Sequence, residues 1–121
     1  MSNTVEAAEA LRDQLETDLG DVVDLVTLDG VGIKLSTRAA VVIQPPEITY
    51  TTWNERELEW TLAAVAGPAD RPRIAWDRLD AVLTRLQETG LNLKSARPAL
   101  FDLAGAGTLP AYEITLNPLE D

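Results

Sequence analysis

The 121-residue chain carries twenty Asp and Glu against ten Lys and Arg, a formal net charge of −10, with 45% apolar and 25% charged residues. That balance fits one globular domain over residues 1–121, able to bury roughly 65 to 70% of its unfolded surface, and the negative charge opposes docking on phosphate backbones or anionic lipid. Zero cysteines and zero histidines exclude disulfides and thiolate metal sites and remove the commonest metal ligand and general base.

The opening Met-Ser-Asn-Thr-Val-Glu offers neither the basic nor the apolar segment of a secretion signal, and no run approaches the ~18 apolar residues of a membrane span. The expectation is a protein made in the cytoplasm with proteins, not membranes, as partners. Val5, Ala8, Leu11, Leu15 and Leu19 then recur at steps of three and four, with Glu6, Glu9, Asp13 and Glu16 turned outward. This spacing predicts an amphipathic helix over Thr4 to Leu19. Asn3 and Glu6 can form a capping box, and Gly20 stands where a left-handed residue closes a helix.

From Val22 to Leu35 the helical spacing is lost, and Asp29-Gly30 between two apolar triplets predicts a hairpin with a two-residue turn. Arg38 to Gln44 reads as a central strand, stopped by Pro45-Pro46, which cannot donate ladder hydrogen bonds. Pro45 to Asn54 is rich in β-branched and aromatic residues but has no burial period, so a protruding extended arm is expected. Leu58, Trp60, Leu62 and Ala64 alternate with Glu57, Glu59 and Thr61. Arg56 to Ala66 is therefore read as one strand, with its second face also covered beyond Thr61.

After a break at Gly67 to Pro72, Trp76, Leu79, Val82, Leu83 and Leu86 predict a second amphipathic helix over Ile74 to Thr89, closed by Gly90. Leu93, Ala99 to Leu103 and Ala111 to Leu116, with a turn at Gly105-Ala106-Gly107, suggest a closing pair of strands. The order α, several β, α, β, β does not suit a doubly wound parallel sheet. It predicts an α+β domain: a mostly antiparallel or mixed sheet with two helices packed on it.

The enzyme-like features that remain are paired acids: Glu57 with Glu59 on one strand face and Asp77 with Asp80 on one helix turn. Among twenty acids in one small chain such pairs arise by coincidence, and solvated faces are the preferred reading; a magnesium site would need carboxylates converging from separate elements. Gly30-Val31-Gly32 and Gly105-Ala106-Gly107 lack the third glycine and following helix of a phosphate loop and are read as turns. No catalytic residue, cofactor or metal ligand is assigned.

Three tryptophans invite a nucleic-acid stacking reading, but that mode also needs a basic groove. Trp60 and Trp76 lie on apolar faces and are expected in the core. Trp53 differs: with Ile48 and Tyr50 it sits in the segment without a burial pattern, so Glu47, Ile48, Tyr50, Trp53, Asn54 and Arg56 form the candidate interface. The dispersed acids favour a solubility role over mimicry of phosphate rows.

Several segments together resemble the tail terminator proteins of long-tailed, non-contractile (lambda-type) bacteriophages, in versions found in phages of actinobacteria. They are the Glu-Ala-Leu-Arg-Asp-Gln-Leu helix, the Ala-Ala-Val-Val-Ile-Gln-Pro-Pro strand, the Glu-Trp-Thr-Leu-Ala-Ala-Val-Ala-Gly-Pro strand, the Ala-Trp-Asp-Arg-Leu-Asp-Ala-Val-Leu helix and the closing Leu-Pro-Ala-Tyr-Glu-Ile-Thr-Leu. The resemblance spans nearly the whole chain, although none of these segments is an invariant signature. It implies a small α/β subunit of a hexameric ring at the head-proximal end of the tail tube. Such a ring touches the tube protein on one side and head completion proteins on the other, and DNA passes through its lumen without specific binding.

The family has no catalytic residues to carry over. A ring needs a heterologous interface, and residues 47–53 or an exposed sheet edge can supply one. Neighbouring tail-completion or head-tail connector subunits share size and fold and form the closest alternative. An acidic regulatory or DNA-mimic protein, expected as monomer or dimer, is a second alternative, and a carboxylate hydrolase, expected to hold an acid of raised pKa in a cleft, is a third.

Overall fold

Ala39–Ile43, five apolar residues of a type that favours strands, form the buried strand about which the sheet is organised. The computed structural model describes residues 4–20, 22–28, 39–53, 55–67, 71–103, 107–117 and 119–120. Among the described residues two helices, α1 (Thr4–Leu19) and α2 (Pro72–Glu88), accompany eight strands. The strands are β1 (Val23–Thr27), β2 (Ala39–Ile43), β3 (Glu47–Thr52), β4 (Glu55–Glu59), β5 (Thr61–Val65), β6 (Leu93–Leu103), β7 (Gly107–Leu116) and β8 (Leu119–Glu120). They make a five-stranded sheet in the order β1-β2-β5-β7-β6 and a three-stranded sheet in the order β3-β4-β8. The α+β expectation holds: every strand pair is antiparallel except β1 with β2.

Helix α1 keeps its predicted bounds and buries Ala8, Leu15 and Leu19. Val5, counted on its apolar face, is instead 59% exposed. The expected left-handed close at Gly20 is not formed. Among the described glycines only Gly90 has positive φ, at 80°, and α1 ends in a turn in which the Val22 amide donates to the Leu19 carbonyl at 2.9 Å. The proposed Asn3 cap, and the Asp29-Gly30 turn with the strand expected after it, lie outside the described residues. β1 takes β2 as a parallel neighbour.

β2 is an interior strand, as its composition predicts, lying between β1 and β5 and buried throughout. Its side chains alternate between two apolar layers. Ala39, Val41 and Ile43 join Leu62, Ala64 and Ile114 beneath the helices, while Ala40 and Val42 join Ala63, Val65, Leu109 and Ala111 on the opposite face, with Phe101 packed against them. The second face beyond Thr61 is thus buried, as expected. Fully buried Leu15, Leu19, Leu62, Leu79, Leu86 and Ile114 each contribute about 1.5 to 3 kcal/mol by leaving water.

The segment read as one strand from Arg56 to Ala66 is two strands. The alternation of Leu58, Trp60, Leu62 and Ala64 into the core persists, but the pairing changes at Trp60. β4 belongs to the small sheet and β5 to the large one. At the junction the Trp60 carbonyl accepts from the Leu116 amide at 2.9 Å, and the Thr61 carbonyl accepts from the Gln44 amide at 3.1 Å. Periodicity reports which way a side chain points, and it is silent about which strand lies alongside.

Helix α2 starts with Pro72 in its first turn, where the missing amide is no loss. It ends at Thr89, whose hydroxyl donates to the Leu86 carbonyl at 2.8 Å, followed by left-handed Gly90 as predicted. The Arg85 guanidinium reaches the Asp18 carbonyl of α1 at 3.5 Å. β6 and β7 form the expected closing hairpin in register from Leu93 with Leu116 to Leu103 with Gly107; residues 104–106 of its turn lie outside the described residues. Pro98 fits because β6 is an edge strand.

Candidate functional site

The expected arm from Pro45 to Asn54 is an ordered hairpin and not an unpaired extension. β3 pairs with β4 in the register Glu47 with Glu59, Ile48 with Leu58, Thr49 with Glu57, Tyr50 with Arg56 and Thr52 with Glu55, with a shift at Thr51. Pro45-Pro46 separates it from β2, which directs the chain out of the large sheet. β-branched Ile48, Thr49, Thr51 and Thr52 then suit a strand even without a burial period. At its base Ile48 and Leu58 pack on the main core. Farther out Tyr50 is 72% exposed, and Trp53, in the two-residue connection to β4, is 94% exposed.

The hairpin brings five of the six candidate interface residues together. Glu47, Tyr50 and Trp53 are exposed, Ile48 and Arg56 are half-buried, and Asn54 lies outside the described residues. One face carries Ile48, Leu58, Tyr50 and Arg56; the other carries Glu47, Thr49, Glu57 and Glu59. Glu47 and Glu59 face each other as like charges, which disfavours the pair, and Lys94 from β6 offsets Glu59 at 3.4 Å. β8 covers the far side of β4, and among the described residues no strand pairs with the outer edge of β3. The other long edge, β6, carries Lys94, Arg97 and Pro98, which oppose strand addition, whereas β3 has neither Lys nor Pro within it.

Trp60 is 3% exposed and is a core residue as expected. Trp76 is not: it is 62% exposed. The buried residues of α2 are Ala75, Leu79, Val82 and Leu86, so the apolar stripe begins at Ala75 and its centre is turned by about 35° from the one the sequence suggested. At 3.6 residues per turn, Trp76 stands about 90° away from its centre. There it borders a shallow depression of about 500 Å³ with Pro72, Arg73, Asp77 and Asp80. This second exposed aromatic was missed because Trp76, Leu79, Val82 and Leu86 also satisfy a helical period, and the small Ala75 gives a weak signal.

Of the paired acids, Glu57 and Glu59 share a face of the acidic hairpin, and Asp77 and Asp80 line that depression. Among the described residues no group of three or more acids converges as a metal site would require. A second, apolar groove of about 410 Å³ runs between α1 and the α2–β6 connection, walled by Ala10, Leu11, Trp60, Leu91 and Leu116 without an ionisable side chain. The arrangement is suited to contact and burial, and no described helix is long and apolar enough to cross a membrane. Neither a protein-family model nor a curated protein matches the chain.

Proposed function

We propose that this chain is a non-catalytic virion subunit that forms a ring, hexameric by the resemblance, at the head-proximal end of a phage tail tube. There it ends tail growth and joins the tail to the head completion proteins. The observation that carries the reading is the β3–β4 hairpin. A monomer gains nothing by leaving Tyr50 and Trp53 in water at 72% and 94% exposure beside a β3 edge that no strand among the described residues pairs with, and exposed aromatics of this kind are characteristic of interface anchors. Such an edge can also recruit a strand from a neighbour.

Termination follows when one ring face matches the last tube ring and the other matches no further tube subunit. Six copies at −10 each carry a formal −60, so the lumen repels DNA phosphates and lets the genome pass without specific binding. Assembly in the host cytoplasm and residence in the virion neck belong to the same reading.

The test is native mass across a concentration series, with negative-stain images of the same samples. Closed rings near six times 13.2 kDa, about 79 kDa, are the expected result. A monomer or a closed dimer at every concentration refutes it.

A further inference from the structure

The chain exposes two tryptophans on elements that do not pack on each other. Trp53 is at the tip of the β3–β4 hairpin, and Trp76 is on the outer side of the first turns of α2; α2 instead packs on α1, β2, β5 and β7. Their settings differ in charge. Over residues 47–59 the hairpin carries Glu47, Glu55, Glu57 and Glu59 against Arg56. Beside Trp76, Arg71 and Arg73 are both exposed.

Arg12 meets Asp13 and Glu16, Lys94 meets Glu59, and Arg97 meets Glu113. Among the described residues, Arg71 and Arg73 are exposed cations in no such pair. The depression is also lined by Asp77 and Asp80, so its cationic side is the Arg71–Arg73 end, and it is that end, beside the exposed Trp76, that complements the acidic, Trp-tipped hairpin in apolarity and charge.

We infer that the two patches are the halves of one head-to-tail self-interface. The β3–β4 hairpin of one copy docks on the Arg71–Asp80 face of α2 in the next, with Trp53 against the Trp76 depression and Glu55 and Glu57 toward Arg71 and Arg73. A contact between two different patches is heterologous, and repetition closes it into a ring when the rotation permits. The inference rests on the ring reading above and deepens it by naming the surfaces.

A charge exchange tests it. Arg71→Glu with Arg73→Glu takes the net charge from −10 to −14, Glu55→Arg with Glu57→Arg takes it to −6, and the four together return it to −10. Sedimentation velocity across concentration reads the midpoint of assembly, and circular dichroism checks that each variant is folded. Each pair alone is expected to raise the midpoint at least roughly ten-fold, as loss of close interfacial charge pairs does, and the fourfold variant to restore it. Trp76→Ala is expected to raise it roughly 30-fold, the loss of one hot spot.

If bulk repulsion alone governed assembly, the −6 variant would assemble more readily than wild type, which overturns the inference. Wild-type rings indifferent to all these changes overturn the contact and leave the ring reading standing. A closed dimer that obeys the exchange supports the contact and refutes the ring, and a wild-type chain that stays monomeric refutes both.

Discussion

Replacing each of two tryptophans by alanine separates what holds the domain together from what the domain presents. Trp60 is 3% exposed, packs in the main core and stands between β4 and β5, its carbonyl accepting from the Leu116 amide of β7. An aromatic side chain removes about 150 to 250 Å² from water, worth roughly 4 to 6 kcal/mol at ~25 cal/mol per Å², and truncations of this kind cost about 3 to 5 kcal/mol. Against a total stability of about 5 to 15 kcal/mol, Trp60→Ala removes a large share. Trp53, at 94% exposure, keeps almost none of that burial, and the same area argument gives Trp53→Ala a loss under about 0.5 kcal/mol. Urea unfolding followed by far-UV circular dichroism, at concentrations where wild type is monomeric, reads both. With a slope of about 1 to 3 kcal/mol per molar urea, Trp60→Ala is expected to lower the midpoint by at least about 1 M and Trp53→Ala by less than about 0.5 M. Equal midpoints, or a larger fall for Trp53→Ala, would refute the division between core and interface on which the functional reading stands.

Gly90 has φ 80° with open space where a Cβ would sit, so Gly90→Ala should cost about 1 to 2 kcal/mol from backbone strain alone, and Gly90→Asn distinctly less. Thermal unfolding of the two variants checks this, and equal losses would indicate a clash. Thr49→Lys places a cation opposite Glu57; it should leave the monomer as stable or up to about 1 kcal/mol more stable while opposing strand addition at the β3 edge. Sedimentation showing undiminished assembly would remove that edge from the interface. The Arg97 to Glu113 pair spans 2.9 Å, but its side chains are 75% and 35% exposed, so Arg97→Ala should change stability by no more than about 1 kcal/mol and leave assembly intact, as salt-dependent unfolding and native mass will show.

Most of the fold was legible because its elements are strongly patterned. α1 announced itself through Ala8, Leu15 and Leu19, β2 through five consecutive apolar residues, and the closing hairpin through two apolar segments around a glycine turn. The errors share a cause: pattern records burial and not partnership. Leu58 to Ala64 alternate without interruption, yet the hydrogen-bonding neighbours change at Trp60. Likewise Glu47–Thr52 is a paired strand, but one so exposed that no alternation marks it. Trp76 was misplaced because a helical stripe is wide enough to admit two centrings. The choice between them fell to Ala75, whose small side chain fits beneath the helix where an indole does not. The candidate site was legible only in part, since the absence of a burial pattern around Tyr50 and Trp53 revealed one patch and a seemingly good pattern concealed the other.

That asymmetry bears on how the chain is built. The two exposed tryptophans sit on elements whose other residues are well accounted for: Ile48 and Leu58 anchor the hairpin to the core, and Ala75, Leu79, Val82 and Leu86 anchor α2. Each aromatic is therefore presented on a rigid support, so little side-chain and backbone freedom is left to lose when it is buried against a partner. The net charge of −10 acts in the opposite sense, resisting indiscriminate contact between copies. In the inferred contact, acids of the hairpin set against Arg71 and Arg73 would offset that repulsion locally while both indoles are buried. On the ring reading, rigidly presented aromatics and a repulsive net charge act together, so that copies associate through the matched patches and not through random contact.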